Sequence, residues 1–177
     1  QFLTAGNYTI DMFINSQACG LFSVFETITV VEAPIVDFDM ALAGPNNCAS
    51  FIANFENTAS GGSAVFNWSI SPITGWTLVN GTNLNSEDID VQFDVVGTYD
   101  VSLFGTNDCG TYEITETIEV AGPPILTLNA IPDFCESASL NFDQNTYSVV
   151  DNYSEITGYS WTFPGGTPAS SDQAAPG

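Results

Sequence analysis

Apolar and polar residues alternate along most of this chain with a period of two. In Gly97–Asn107, Tyr99, Val101 and Leu103 fall on one face and Thr98, Asp100 and Ser102 on the other. In Gly110–Val120, Tyr112, Ile114, Ile118 and Val120 alternate with Thr111, Glu113, Thr115, Thr117 and Glu119. Alternation of this length predicts two half-buried antiparallel strands, joined by a turn at Asn107–Gly110. The pattern continues upstream. Phe51, Ala53 and Phe55 share a face, as do Phe66, Trp68 and Ile70, and Ile89, Val91 and Phe93. Ile35–Met40 is expected to be a short first strand, and Trp76–Val79 a short edge strand. Turn signals separate them at Gly44–Asn47, Asn57–Ser63, Ser71–Gly75 and Asn80-Gly81. Six or seven short strands at even spacing, with no helical stretch, read as an all-β sandwich.

The hairpin text occurs twice. Gly6-Asn-Tyr-Thr-Ile-Asp-Met and the run ending at Val30 repeat Gly97-Thr-Tyr-Asp-Val-Ser-Leu and the run ending at Val120. Gly97 lies 91 positions beyond Gly6, Cys109 lies 90 beyond Cys19, Cys135 lies 87 beyond Cys48 and Trp161 lies 93 beyond Trp68. The chain therefore reads as part of a tandem array with a period of about 90 residues. On this reading residues 1–32 are the C-terminal part of a first repeat, 33–121 a complete repeat, and 122–177 the N-terminal part of a third. Ala33-Pro34 and Gly122-Pro-Pro124 mark the junctions. The third repeat is expected to have strands at Ile125–Leu128 and Ala138–Phe142, and a tryptophan strand at Tyr159–Phe163. Both ends look cut from something longer.

Charge narrows the function. The chain has 21 Asp plus Glu and no Lys, Arg or His, for a net charge of −21. Nothing here neutralises phosphate, so a nucleic-acid partner is not expected. Such a surface repels anionic membranes and other copies of itself. There is no apolar run of transmembrane length, so no membrane insertion is expected either. With 44% hydrophobic residues the chain has material for a core, unlike an acidic disordered tail.

Four cysteines allow three pairings. The repeat suggests one of each kind per unit, an early cysteine and a hairpin cysteine. That pairs Cys48 with Cys109, and leaves Cys19 and Cys135 to partners outside these residues. Such a closure would add roughly 4 kcal/mol in the chain-entropy picture. Free buried thiols are the alternative. A zinc site is disfavoured, because there is no Cys-x-x-Cys and no His. Disulfides imply an oxidising, extracellular setting.

Catalytic chemistry is not signalled. Without His or Lys the usual general bases and Schiff-base chemistry are missing, and only carboxylate pairs such as Asp37/Asp39 and Asp88/Asp90 remain. No enzyme activity is expected. No resident cofactor is expected; calcium is the one candidate ion, with Asp88, Asp90, Asp94 and Asp100 as its weak candidate ligands on neighbouring strands. A solvated acidic face is the competing reading. Glu116 falls on the apolar register of its strand, as Glu26 does 90 positions earlier. A β-bulge, an inward charge guarding a sheet edge, or a junction contact would each explain it. Trp68, Trp161, Phe66 and Tyr159 are assigned to cores, and Trp76 is the candidate exposed binding aromatic.

The run Gly97-Thr-Tyr-Asp-Val-Ser-Leu, closing a repeat of this length, resembles the PKD (polycystic-kidney-disease) domain family. So does Tyr159-Ser-Trp-Thr-Phe-Pro-Gly-Gly. The family's Trp-x-Phe-Gly-Asp-Gly is replaced here by Trp68-Ser-Ile-Ser-Pro-Ile and by Trp161-Thr-Phe-Pro-Gly-Gly. The resemblance implies tandem immunoglobulin-like sandwiches serving as spacer or adhesive modules at a cell surface. Long acidic arrays of this kind are similar to giant Bacteroidota-type surface adhesins, including gliding-motility filaments exported by type IX secretion. The implied partners are neighbouring repeats and a surface, glycan or protein ligand. The alternative role is a spacer or carbohydrate- or protein-binding module attached to a secreted hydrolase.

Overall fold

The computed structural model describes residues 1–44, 46–135, 139–142 and 146–176. Among them every regular element is a strand. They run β1 (Gly6–Ser16), β2 (Gly20–Val30), β3 (Phe38–Leu42), β4 (Phe51–Asn57), β5 (Val65–Ser71), β6 (Trp76–Leu78) and β7 (Ile89–Phe93). Then come β8 (Gly97–Asn107), β9 (Gly110–Val120), β10 (Ile125–Leu128), β11 (Tyr147–Val150), β12 (Trp161–Thr162) and β13 (Ser170–Ser171).

The middle of the chain builds two sheets. One has the strand order β3-β4-β7-β6 and the other β5-β8-β9, and all their pairings are antiparallel. Written as letters in chain order, this is ABED against CFG, the constant-type immunoglobulin topology. The alternation seen in the sequence explains why the two sheets close on each other. Phe51, Ala53, Phe55, Ile89, Val91 and Phe93 from one sheet meet Trp68, Ile70, Tyr99, Val101, Leu103, Ile118 and Val120 from the other, and all are buried. Period-two strands have one apolar face to hide, and with no helix among the described residues a second sheet covers it.

Trp68 centres this core. Its ring centroid lies 5.1 Å from that of Phe38 in an edge-on contact and 6.1 Å from that of Phe55. Its Nε1 donates to the carbonyls of Ser86 (3.2 Å) and Glu87 (3.3 Å), so the one polar atom of the indole is satisfied. Antibody domains place a disulfide against this tryptophan, with its second cysteine two residues after a corner tyrosine. Here Tyr99 is that tyrosine, donating from Oη to Val95 O at 2.8 Å, and the position two residues on is Val101. Aromatic packing and aliphatic burial take the place of the cross-link.

The first strand of this unit begins later than expected. Ile35 makes only an isolated bridge to Ser60, and the ladder starts at Phe38. Ile35 is exposed whereas Phe38 is buried under Trp68, so it is Phe38 that anchors the strand to the core.

The flanking segments are simpler. β1 and β2 form a hairpin whose ladder runs unbroken from Gly6↔Val30 to Ser16↔Gly20. Its apolar side chains Ile10, Met12, Phe22 and Val24 are exposed. Beyond the middle unit, β10 pairs with β11 and β12 with β13. Residues 139–142 of the expected strand at 138–142 are not in a strand, and Ala138 lies outside the described residues. Trp161 sits beside Phe142 (5.1 Å), Tyr147 (5.2 Å) and Phe163 (6.3 Å), and its Nε1 donates to Gln173 O.

Candidate functional site: the two poles of the sandwich

The middle unit has two ends, and the chain engages a different one on each side. At the first pole stand the β8–β9 turn and the loop following β4. Asn107 Nδ2 donates to Glu32 O at 2.7 Å, and the Cys109 thiol lies 3.6 Å from Val31 O. Ile35 and Ser60 exchange backbone hydrogen bonds beside them. Gly62, at φ 47°, packs so closely that a Cβ there would fall 2.2 Å from Glu32 O. A residue with a side chain has no room at that position.

The second pole holds the far ends of β8 and β9. Ala121 N donates to Asn47 O and Ala49 N donates to Ala121 O, both at 2.9 Å, so Cys48 sits opposite Ala121 in a parallel bridge. Asn47 Nδ2 donates to Glu119 O. The next segment docks here: Gly122 N donates to Asn152 O at 3.0 Å, and Asn152 Nδ2 donates to Pro123 O.

This geometry corrects the expected Cys48–Cys109 disulfide. All four cysteines are free and exposed. Cys109 precedes β9 and Cys48 lies past its end, with the strand's 11 residues between them. At about 3.4 Å per residue they are roughly 35 Å apart, far beyond the 7 Å limit for bridging Cα atoms.

The four candidate calcium ligands are not assembled. Asp88, Asp90 and Asp94 lie on or beside β7, whereas Asp100 lies on β8 in the other sheet. Each carboxylate is already engaged. Asp88 accepts from Asn57 N, and Asp100 accepts from Thr117 Oγ1. Asp90 accepts from Asn54 Nδ2 at 3.0 Å and Asn80 Nδ2 at 2.8 Å. Those two donors, Asn54 first, hold the Asp90 carboxyl below its ordinary range against the opposing effect of partial burial. Asp94 is lowered by Gln92 and then Ser50. Among the described residues no three His, Cys, Asp or Glu come together as a metal-holding group.

Trp76 is not a free binding aromatic. It is half-buried against the core, and its Nε1 donates to Pro72 O at 2.7 Å. The polar contact that fixes it crosses the turn between β5 and β6, which the alternation pattern does not reveal. The hydrophobics that stand furthest out on the middle unit are instead Ile73 and Val65.

Glu116 has a definite place. It is directly opposite Val101, and the ladder keeps one register from Gly97↔Val120 to Asn107↔Gly110, so there is no bulge. β9 is an edge strand, and Glu116 is an exposed charge on its core-side face.

The comparison with family models agrees with this architecture. Residues 39–120 match the model of a PKD-like domain, from β3 to the end of β9. This segment is a PKD-like domain. No curated protein matches the chain. Two of the solved structures that are similar are both from protocadherins. One is protocadherin gamma B7 extracellular cadherin domains 1–4, at 12% identity and TM-score 0.31, covering 64% of this chain and 32% of that one. The other is a protocadherin gamma B7 EC3–6 cis-dimer, at 14% identity and TM-score 0.34, covering 70% and 34%. The chain thus spans about a third of each. Among the described residues no helix is long and apolar enough to cross a membrane.

Proposed function

We propose that this chain is a structural, non-enzymatic stretch of an extracellular surface protein, in which β-sandwich units are joined in series to hold an adhesive filament away from the cell. The observation that carries this reading is the polarity of the PKD-like domain. The preceding segment reaches it at the β8–β9 turn, through Val31 and Glu32. The following segment leaves from Ala121 and Gly122 at the other end of β9. A unit entered at one pole and left at the other extends a chain by its full length, about 35 Å per unit from the rise of β9. The β1–β2 hairpin supports the serial reading. It has the strand lengths and unbroken register of β8–β9, and Ile10↔Glu26 repeats Val101↔Glu116. The absence of cations on a chain of net charge −21 adds repulsion between neighbouring filaments.

The test is surface labelling with an antibody raised against residues 33–121. Intact source cells label if the reading holds. Labelling only after permeabilisation overturns it.

A further inference from the structure

We infer that the cysteines pair across the junctions between successive units, each early cysteine with the hairpin cysteine of the unit that follows; this rests on the serial arrangement proposed above. Val31 directly follows Val30, which pairs with Gly6, and Ala121 directly follows Val120, which pairs with Gly97. The two hairpins have the same length and register, so Val31 and Ala121 occupy the same place in successive units. The Cys109 thiol lies 3.6 Å from the carbonyl of Val31. Cys48 stands opposite Ala121, whose carbonyl accepts from the next residue's amide, Ala49 N. An early cysteine and the hairpin cysteine of the following unit therefore converge on the same carbonyl.

The convergence suits a cross-link. The hairpin thiol lies 3.6 Å from this carbonyl, the early cysteine is bridged to the residue that carries it, and both cysteines are exposed. Cys109 is then paired with the early cysteine of the unit before it, and Cys48 with the hairpin cysteine of the unit after it. Cys19 looks back across an earlier junction and Cys135 forward across a later one. None of these partners falls within residues 1–177, which accounts for four free thiols where pairing inside a unit would have left two.

The chemistry is thiol–disulfide exchange. One cysteine thiolate attacks a small-molecule disulfide such as oxidised glutathione and expels one thiol. The second cysteine attacks the mixed disulfide and expels the other. Two protein thiols become one disulfide and two electrons reduce the oxidant.

The experiment inserts a second copy of residues 32–121 directly after Ala121 of the full chain. Cys48 of the first copy then faces Cys109 of the second. The protein is equilibrated with a glutathione redox buffer, its remaining thiols are blocked, and it is cleaved at Asp and Glu for mass spectrometry without reduction. The expected result is one disulfide linking those two cysteines, with the other four thiols free. Cys48→Ser in the first copy abolishes it, and Cys48→Ser in the second copy leaves it. A link between Cys48 and Cys109 of the same copy, or six free thiols, overturns the inference. Thermal unfolding of the same protein reports on the serial reading separately. A second cooperative unit without the disulfide sinks the junction pairing alone, whereas no second unit sinks both.

Discussion

Val101 and Glu116 face each other across the β8–β9 ladder, one wholly buried and the other exposed. The difference lies in strand position. β8 is central in its sheet and covered, whereas β9 is the edge. An inward-directed charge on an edge strand deters a second chain from adding to it. Glu116→Val should leave stability within about 0.5 kcal/mol, as surface changes do, but should make the protein self-associate more strongly than the parent chain. Light scattering at rising concentration checks this, with Glu119→Thr on the opposite face as control. A Glu116→Val protein that scatters no more than the parent chain refutes the edge-guard role.

Gly75 and Tyr99 form a second coupled pair. Gly75 has φ 93°, and a Cβ there would stand 2.2 Å from Tyr99 Oη. Tyr99→Phe should lose about 1 kcal/mol with the hydrogen bond to Val95 O. Gly75→Ala should lose several times that, from the positive φ and the clash together. In the double variant the hydroxyl is gone, and the backbone strain remains with the lesser crowding against Val95 Cβ at 3.2 Å and the ring Cζ at 3.3 Å. The two losses should therefore sum to more than the double variant shows, by about 1 kcal/mol or more. Urea unfolding of the four proteins measures the coupling.

Trp68→Ala should cost about 3–5 kcal/mol, since it removes the ring on which Phe38 and Phe55 pack. Cys48→Ser and Cys109→Ser in this chain should each move stability by less than about 0.5 kcal/mol, because neither thiol is cross-linked. Denaturant midpoints decide both. A large loss on either serine substitution would mean that the two cysteines do support one unit.

The core was readable from the alternation of Phe51, Ala53 and Phe55, and of Ile89, Val91 and Phe93, because a sandwich strand buries one face only. The position of the cysteines was not. A repeat length tells which residues correspond, but the pole that each one occupies depends on strand direction across two sheets. The separation of Asp88, Asp90 and Asp94 from Asp100 is hidden in the sequence for a related reason. β7 and β8 are consecutive in the chain, yet the chain crosses from one sheet to the other between them. The start of β3 is not legible in the sequence because Ile35 and Phe38 are equally apolar, and only contact with Trp68 separates them.

Asp90 gives a pH dependence with a definite sign. Its carboxyl is lowered in the folded chain by Asn54 and Asn80. A depressed carboxyl contributes stability above its unfolded value of about 4, and that contribution is lost as pH falls through the folded value. Asp90→Asn should therefore cost about 1 kcal/mol at pH 7. The gap to the parent chain should narrow as the pH drops below about 4. A gap that is constant from pH 7 to pH 2 would show that the amide contacts do not depend on charge.

A chain with 21 carboxylates and no Lys, Arg or His carries no side-chain cation to offset its own repulsion. Screening should therefore stabilise it. Raising NaCl from 0.1 to 1 M shortens the Debye length from about 10 to 3 Å. A gain of about 1 kcal/mol would raise the unfolding midpoint by roughly 4–8 °C for a unit of this size. The effect should vanish near pH 2, where the carboxylates are protonated and nothing is left to screen. Calcium and magnesium at matched ionic strength should act alike, because Asp88, Asp90, Asp94 and Asp100 are divided between two sheets and each is held by an amide or hydroxyl donor. Screening depends on ion charge, whereas a built oxygen cage would favour the larger calcium ion. A rise in midpoint with calcium alone would mean that some of these carboxylates leave their present partners for the ion.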